Sequence, residues 1–399
     1  MSTRIVVVGG GTAGARLAQR LPVTLLGEEP HAPYNRVLLA DVLAGRYAPE
    51  VIALPETREP VRLGVRALRI DREARTVECA DGSLVGYDRL VLATGSNPVL
   101  PPLRGLRGAE PPEGVHAFRT LDDCLALRDR VRPGVRAVVI GGGLLGVSAA
   151  RALAALGAEV VLTQQGERLM ERQLDTYASA LLREHMEALG VEVHTECRVS
   201  GLRQRDGAVT AVELADGFVL DAQVVVLACG VRPRTALARD AGLDVGRGIL
   251  VDDELRTSDP YIHAVGDCAE HEGRVYGLAG PALEQADALA EVLGREVPSA
   301  GSTRYTGTRA LTRLTLGGAQ PLDLAAFGEA TPRPGDDVVQ LTDATRSAYR
   351  KVVVRGDRLV GGVLLGDLAA VGTLARAWEG DEALPEAPLL HLLTHDGGS

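Results

Sequence analysis

Short apolar runs, each closed by glycine and followed by an Ala/Leu-rich segment of helical spacing, recur along this chain. Ile5–Val8 leads into Gly9-Gly10-Gly11-Thr12-Ala13-Gly14, and Ala137–Ile140 leads into Gly141-Gly142-Gly143-Leu144-Leu145-Gly146. A continuous β-branched run predicts a strand buried on both faces, and the segment after the turn predicts the helix that crosses back over it. The halves keep the same order further on. Asp81-Gly82 precedes Leu90–Ala93 and Thr94-Gly95, Asp216-Gly217 precedes Val224–Ala228 and Cys229-Gly230, and 14 positions separate the Asp from the final Gly in both. Loop, helix, hairpin turn, buried strand and closing glycine, repeated in this order, predict a duplicated βαβ-based unit.

Glycine in these loops has a physical reason. Without a Cβ the backbone can approach a pyrophosphate, whose charge is stabilised by N–H groups at the helix start. The strand before and the helix after each loop raise both matches above a chance G-x-G-x-x-G. Two such loops imply two dinucleotides. The first unit runs to about residue 110, closing in Leu100-Pro101-Pro102 and the Gly/Pro-rich loop Arg107–Gly114, and the second runs to about Arg234. A third region, Gly248–Leu293, holds the strand-like Tyr261–Val265, then Gly266-Asp267-Cys268-Ala269, then a helix from Pro281 through Ala290. Ser299–Ser302 reads as a linker. Beyond it, Leu311–Leu316, Tyr349–Val354 and Leu359–Leu365, with a turn at Gly356-Asp357, predict a small α+β domain of hairpins.

Composition bounds the classes. The chain has 399 residues, 46% of them hydrophobic, enough for two or three domains with cores of their own. A formal charge of −10 disfavours nonspecific nucleic-acid or anionic-membrane binding. The chain contains no run of 18 apolar residues and starts a strand at Ile5, which leaves no room for a signal peptide, so a cytoplasmic location without membrane insertion is expected. Cys79, Cys124, Cys197, Cys229 and Cys268 form no CxxC or other close pair. Zinc, iron–sulfur and internal redox-disulfide sites are therefore not expected. The eight histidines are isolated in sequence, and Lys351 is the only lysine.

Three signatures read in order carry a resemblance. Gly9-x-Gly11-x-x-Gly14 with Ala18, then Ala93-Thr94-Gly95-Ser96-Asn97-Pro98, then Ile262-His263-Ala264-Val265-Gly266-Asp267 resemble the FAD domain of the pyridine nucleotide-disulfide oxidoreductase superfamily. Within it, Pro30–Leu39, Gly141–Gly146, Arg168-Leu169-Met170, Gln173-Leu174-Asp175, Tyr349-Arg350-Lys351 and Gly361–Asp367 resemble the flavin-containing N-terminal part of the assimilatory nitrite reductase large subunit. The resemblance covers nearly the whole chain. It implies an α/β fold of two Rossmann-like dinucleotide-binding domains, glutathione-reductase-like, plus the small C-terminal domain. A discontinuous FAD domain would take residues 1–110 and 235–298, an NAD(P) domain 111–234, and the α+β domain 303–399.

For FAD, the resemblance implies Gly9, Gly11, Thr12, Ala13 and Gly14 at the pyrophosphate, Glu28 or Glu29 at the adenosine ribose, Arg36 near the cofactor, Ala93, Thr94 and Gly95 on the closing strand, and Gly266 with Asp267 at the ribityl chain. For NADH or NADPH it implies Gly141, Gly143, Leu144, Leu145, Gly146, Gln164 and Gly230. Here the chain departs from its relatives. Gln164 replaces the acidic residue on the ribose 2′-hydroxyl, which removes repulsion toward a 2′-phosphate, and Arg168 reads either as a contact for such a phosphate or as a plain loop residue. Ser148 and Asp41 stand where many members carry a Glu and a Lys near the nicotinamide–flavin contact.

The implied activity is that of an FAD-dependent NAD(P)H oxidoreductase passing electrons to a separate acceptor, a nitrite or nitrate reductase component, a ferredoxin or a rubredoxin, with nitrogen assimilation as the first context. Two alternatives stay open: an NAD(P)H oxidase or flavin monooxygenase, and an FAD-binding scaffold or redox sensor with little turnover. The C-terminal domain would form a subunit contact or cover the flavin, so a homo-oligomer is left open. No catalytic acid or base is assigned.

Overall fold

The computed structural model describes residues 3–106, 111–294, 304–317, 321–343, 345–381, 383–384 and 388–393. The expected linker Ser299–Ser302, residues 107–110 of the Gly/Pro-rich loop and the expected domain edges at 1, 110, 298, 303 and 399 lie outside them.

Two parallel sheets form the nucleotide units. In the first, strands Ile262–Ala264, Arg89–Leu92, Ile5–Val8 and Thr24–Leu26 lie side by side in that order. In the second the order is Val191–His194, Glu159–Thr163, Arg136–Ile140, Val224–Leu227 and Val115–Ala117. The β-branched runs are buried along their length because helices or a second sheet cover both faces. Each sheet carries an antiparallel meander, Ala67–Asp71 with Thr76–Cys79 and Leu84–Gly86 in the first unit, and Val199–Arg205 with Ala208–Leu214 and Val219–Asp221 in the second. The Asp-Gly turns fall where expected, Gly82 and Gly217 adopting φ of 80° and 92°.

The first unit is closed by sequence from both sides of the second. Helix Ala279–Leu293 packs beside helix Thr12–Arg20, where Asp287 holds Arg16 at 2.8 Å and Arg20 at 3.1 Å. Chain crosses between units as an antiparallel pair, Ser96–Pro98 against Val231–Pro233. This pair follows the closing glycines Gly95 and Gly230 and so sets one loop system against the other.

The third body is a five-stranded antiparallel sheet, ordered Leu311–Leu316, Leu322–Gly328, Arg358–Leu365, Ala348–Arg355 and Asp337–Asp343, with helix Val371–Glu379 packed on it. Gly356, φ 63°, makes the expected turn. This sheet also packs against the second unit. Lys351 is buried on Asp175, Nζ to Oδ2 2.8 Å, and the Tyr349 hydroxyl donates to the same oxygen at 2.6 Å. Asp175 also caps helix Thr176–Ala188 by accepting from the Ala178 N–H at 3.0 Å. Burial alone would raise the Asp175 carboxyl; the bonds from Lys351, Tyr349 and Ala178 outweigh it and hold it below the ordinary carboxylate range.

Candidate functional site

The two glycine loops have the same internal construction. Gly9 and Gly141 turn at φ of 118° and 114°, where a Cβ would stand 2.1 Å from the Ala93 carbonyl oxygen and 2.4 Å from that of Ala228. Gly14 and Gly146 let each helix lie against its own loop, since a Cβ there would come within 1.9 Å of Gly9 O and 1.7 Å of Gly141 O. The middle glycines differ. A Cβ on Gly11 or Gly143 would meet no atom within 4 Å, and each residue is the N-cap of the following helix without a side-chain cap. Each loop therefore opens a small space at a helix N-terminus, which fits a pyrophosphate. Thr12 and Ala13, like Leu144 and Leu145, form the first turns of these helices and carry no charge against an anion.

Around the first loop the two glutamates are unequal. Glu29 is consumed internally, accepting from the Tyr34 hydroxyl at 2.6 Å and pairing with Arg36. Arg36 further donates to the Arg119 carbonyl at 3.0 Å, so it is fixed in a network rather than solvated. Glu28 is more open and meets two outer arginines, Arg234 at 2.5 Å and Arg66 at 3.6 Å. Asp267 accepts from the Ser96 hydroxyl at 3.0 Å and from Arg119 at 2.6 Å, which brings together residues from the first unit, the crossover and the second unit. Gly266, φ 77°, is held by its N–H on Gln285 Oε1 at 2.7 Å. Ala93 is buried, and Thr94 donates to the Arg234 carbonyl at 2.8 Å. Gly95 and Gly230 both adopt positive φ with open space beside them.

Sequence reasoning missed Arg119. It precedes a strong helix start, in which Thr120 and Asp123 form a capping box for helix Leu121–Arg130, and that box was the available local signal. Its partner Asp267 is 148 residues away.

Around the second loop, Gln164 is not a free ribose ligand. Its Oε1 accepts from the Gly142 N–H at 2.8 Å, which leaves the amide nitrogen as its open end. Arg168 donates from Nη1 to Thr176 Oγ1 at 3.2 Å and lies 3.8 Å from Glu167. Ser148 turns back on its own helix, its hydroxyl donating to the Leu144 carbonyl at 2.8 Å. One turn on, Arg151 is 3% exposed and pairs with Asp41 at 2.9 Å. The positions of the expected Lys and Glu thus lie beside an ion pair of the opposite polarity, acid on the first unit and base on the second.

Four of the thiols are poor nucleophiles. Burial pushes Cys124 and Cys229 up to about 11 and also raises Cys268 and Cys197, so all four are protonated at neutral pH. His263, buried in the central strand of the third motif, is driven down to about 4 by burial and by Arg89 and Arg256, and stays neutral. Among the described residues no group of three His, Cys, Asp or Glu side chains is placed to hold a metal, and no helix is long and apolar enough to cross a membrane.

The family model described as pyridine nucleotide-disulphide oxidoreductase matches residues 3–286, and that described as rubredoxin NAD+ reductase C-terminal domain matches residues 319–380. The chain is 39% identical over 404 residues to the nitrite reductase (NAD(P)H) large subunit of Klebsiella oxytoca, covering 96% of this chain and 41% of that protein. It is 34% identical over 381 residues to the assimilatory nitrate reductase electron transfer subunit of Bacillus subtilis, covering 91% of this chain and 48% of that one. The chain thus spans less than half the length of these curated relatives. Among solved structures, the covalent putidaredoxin reductase–putidaredoxin complex matches with a TM-score of 0.83 at 27% identity, covering 98% of both chains. With two loops of matching construction and a family match across both parallel sheets, the chain belongs to the pyridine nucleotide-disulphide oxidoreductase family.

Proposed function

We propose that this chain is an FAD-dependent oxidoreductase that takes a hydride from NADH or NADPH at the second loop and passes electrons to a separate protein. The observation that carries this reading is the pair of open glycine loops, on two parallel sheets joined by the strands Ser96–Pro98 and Val231–Pro233. FAD, when bound, accepts a hydride and returns electrons singly or in pairs.

The protein's part is to bind, orient and counter charge. Gly9, Gly11, Thr12, Ala13 and Gly14 would hold the FAD pyrophosphate. Glu28, the more open of the two glutamates, would accept from the adenosine ribose, while Glu29 keeps Arg36 and Tyr34 in place. Asp267 would accept from the ribityl hydroxyls, and Arg119 holds its carboxylate in place. Ala93, Thr94, Gly95 and Gly266 would form the wall beside it. Gly141, Gly143, Leu144, Leu145, Gly146 and Gly230 would hold the nicotinamide dinucleotide, with Gln164 bracing the loop through Gly142. The five cysteines form no close pair in sequence that would serve as a disulfide relay, and in this reading the electrons leave to a partner.

Similarity to a nitrite reductase large subunit and to a nitrate reductase electron transfer subunit supports a nitrite or nitrate reductase component as the acceptor, and similarity of the C-terminal domain to that of a rubredoxin reductase supports a rubredoxin-type carrier in the same role. The test is reoxidation of the dithionite-reduced flavoprotein by a ferredoxin or rubredoxin under argon, against reoxidation by air-saturated buffer. Faster electron loss to the carrier is expected. Oxygen consumption that matches or exceeds it, with peroxide or water formed, would replace this reading by an oxidase.

A further inference from the structure

The turn after strand Glu159–Thr163 is where a carboxylate would read the coenzyme ribose, and Gln164 occupies it with its carbonyl oxygen already committed to the loop. A carboxylate reaches the same turn by another route. Gly166 has no Cβ, and an atom placed there would stand 2.2 Å from Glu171 Oε2 and 2.9 Å from Gln164 Nε2. The Glu171 carboxylate therefore rests against the Gly166 backbone beside the open amide end of Gln164. The chain that delivers it is pinned to the coenzyme loop. Met170, at φ 48°, donates its N–H to the Gly142 carbonyl at 2.8 Å, and Leu169 is buried so close to Gly142 that a Cβ there would meet its Cδ2 at 2.6 Å. Arg168, the competing charge, is turned toward Thr176 at the start of the next helix and lies near its own neighbour Glu167.

We propose that Glu171 supplies the carboxylate that position 164 lacks, so that it accepts from the adenosine ribose hydroxyls of NADH and repels the 2′-phosphate of NADPH. This rests on the reading of the second loop as the coenzyme site, and it makes Glu171 a specificity residue with Gly166 as the gap that admits it. A carboxylate accepts from a hydroxyl pair but meets a phosphate as a like charge, a juxtaposition costly enough to set binding apart by on the order of 100-fold.

The test is equilibrium binding of NAD+ and NADP+ to the FAD-loaded protein, with anaerobic flavin reduction by NADH and NADPH measured on the same samples, for the native chain, Glu171→Gln and Gly166→Ala. The native protein is expected to prefer NAD+ by on the order of 100-fold, and Glu171→Gln to shrink that ratio by about tenfold. Gly166→Ala keeps the charge but pushes the carboxylate away, and it is expected to shrink the ratio in the same direction. A native preference for NADP+, or a Glu171→Gln variant with an unchanged ratio, overturns the role of Glu171 while leaving the oxidoreductase reading standing. Failure of both coenzymes to bind or to reduce the flavin overturns that reading and this inference together.

Discussion

Asp41→Ala is expected to destabilise the protein by about 3–5 kcal/mol, because it strands a buried guanidinium that cannot shed its proton. Arg151 is 3% exposed, its Nη2 meets Asp41 at 2.9 Å, its Nη1 donates to the Gly317 carbonyl at 3.3 Å, and its Nε has no hydrogen-bond partner. The converse change is milder. Arg151→Met leaves Asp41 with Arg46 at 3.2 Å on a half-exposed side chain, so roughly half the loss is expected. The double variant Asp41→Leu with Arg151→Met removes both charges and should recover most of the stability, as apolar replacement of a buried pair generally does. Urea midpoints read at saturating flavin measure all three. The pair is more than a local contact, since it joins the first unit, the second unit and the turn after strand Leu311–Leu316 in the C-terminal domain.

The second large effect separates folding from cofactor binding within one loop. Gly11→Ala adds a methyl group where no atom lies within 4 Å, at backbone angles of −75° and −172° that alanine adopts freely. The flavin-free protein should unfold as before, within about 0.5 kcal/mol. Flavin affinity should fall by about 10- to 100-fold, because the methyl takes space a pyrophosphate needs. Gly14→Ala should do the reverse. Its Cβ would lie 1.9 Å from the Gly9 carbonyl oxygen, so helix and loop must separate and the fold itself loses about 1–3 kcal/mol. Flavin titration monitored by fluorescence quenching, beside thermal unfolding of the apoproteins, distinguishes the two. Equal behaviour of the two variants would contradict the division of labour among the loop glycines.

Much of the fold was legible because its signals are local. Four-residue β-branched runs, glycine loops and Asp-Gly turns each arise within a few residues, and Ile5–Val8 and Leu311–Leu316 appear in the structure with the expected bounds. The helix expected from Pro281 to Ala290 runs further, from Ala279 to Leu293, because proline is tolerated in a first turn and does not mark the start. The site was less legible where its chemistry depends on distant residues. Asp41 and Ser148 read as lost charges, yet Arg151, 110 positions after Asp41, restores an ion pair at the same junction. Asp175, the partner of Lys351, lies 176 positions away in sequence, so no local signal announced that pair. Glu28 and Glu29 are identical in type and adjacent, and only the packing of Tyr34 and Arg36 against Glu29 distinguishes their surroundings.

Anaerobic addition of NADH, and separately of NADPH, to the FAD-loaded protein, followed at the flavin absorbance near ~450 nm, tests most directly whether two dinucleotide sites serve one hydride transfer. Rapid loss of that absorbance with at least one coenzyme, in a single turnover and without any added carrier, is the predicted result. Retention of the absorbance with both, in protein that demonstrably holds FAD, would contradict it and leave a flavin-binding protein that is reduced by something other than a nicotinamide.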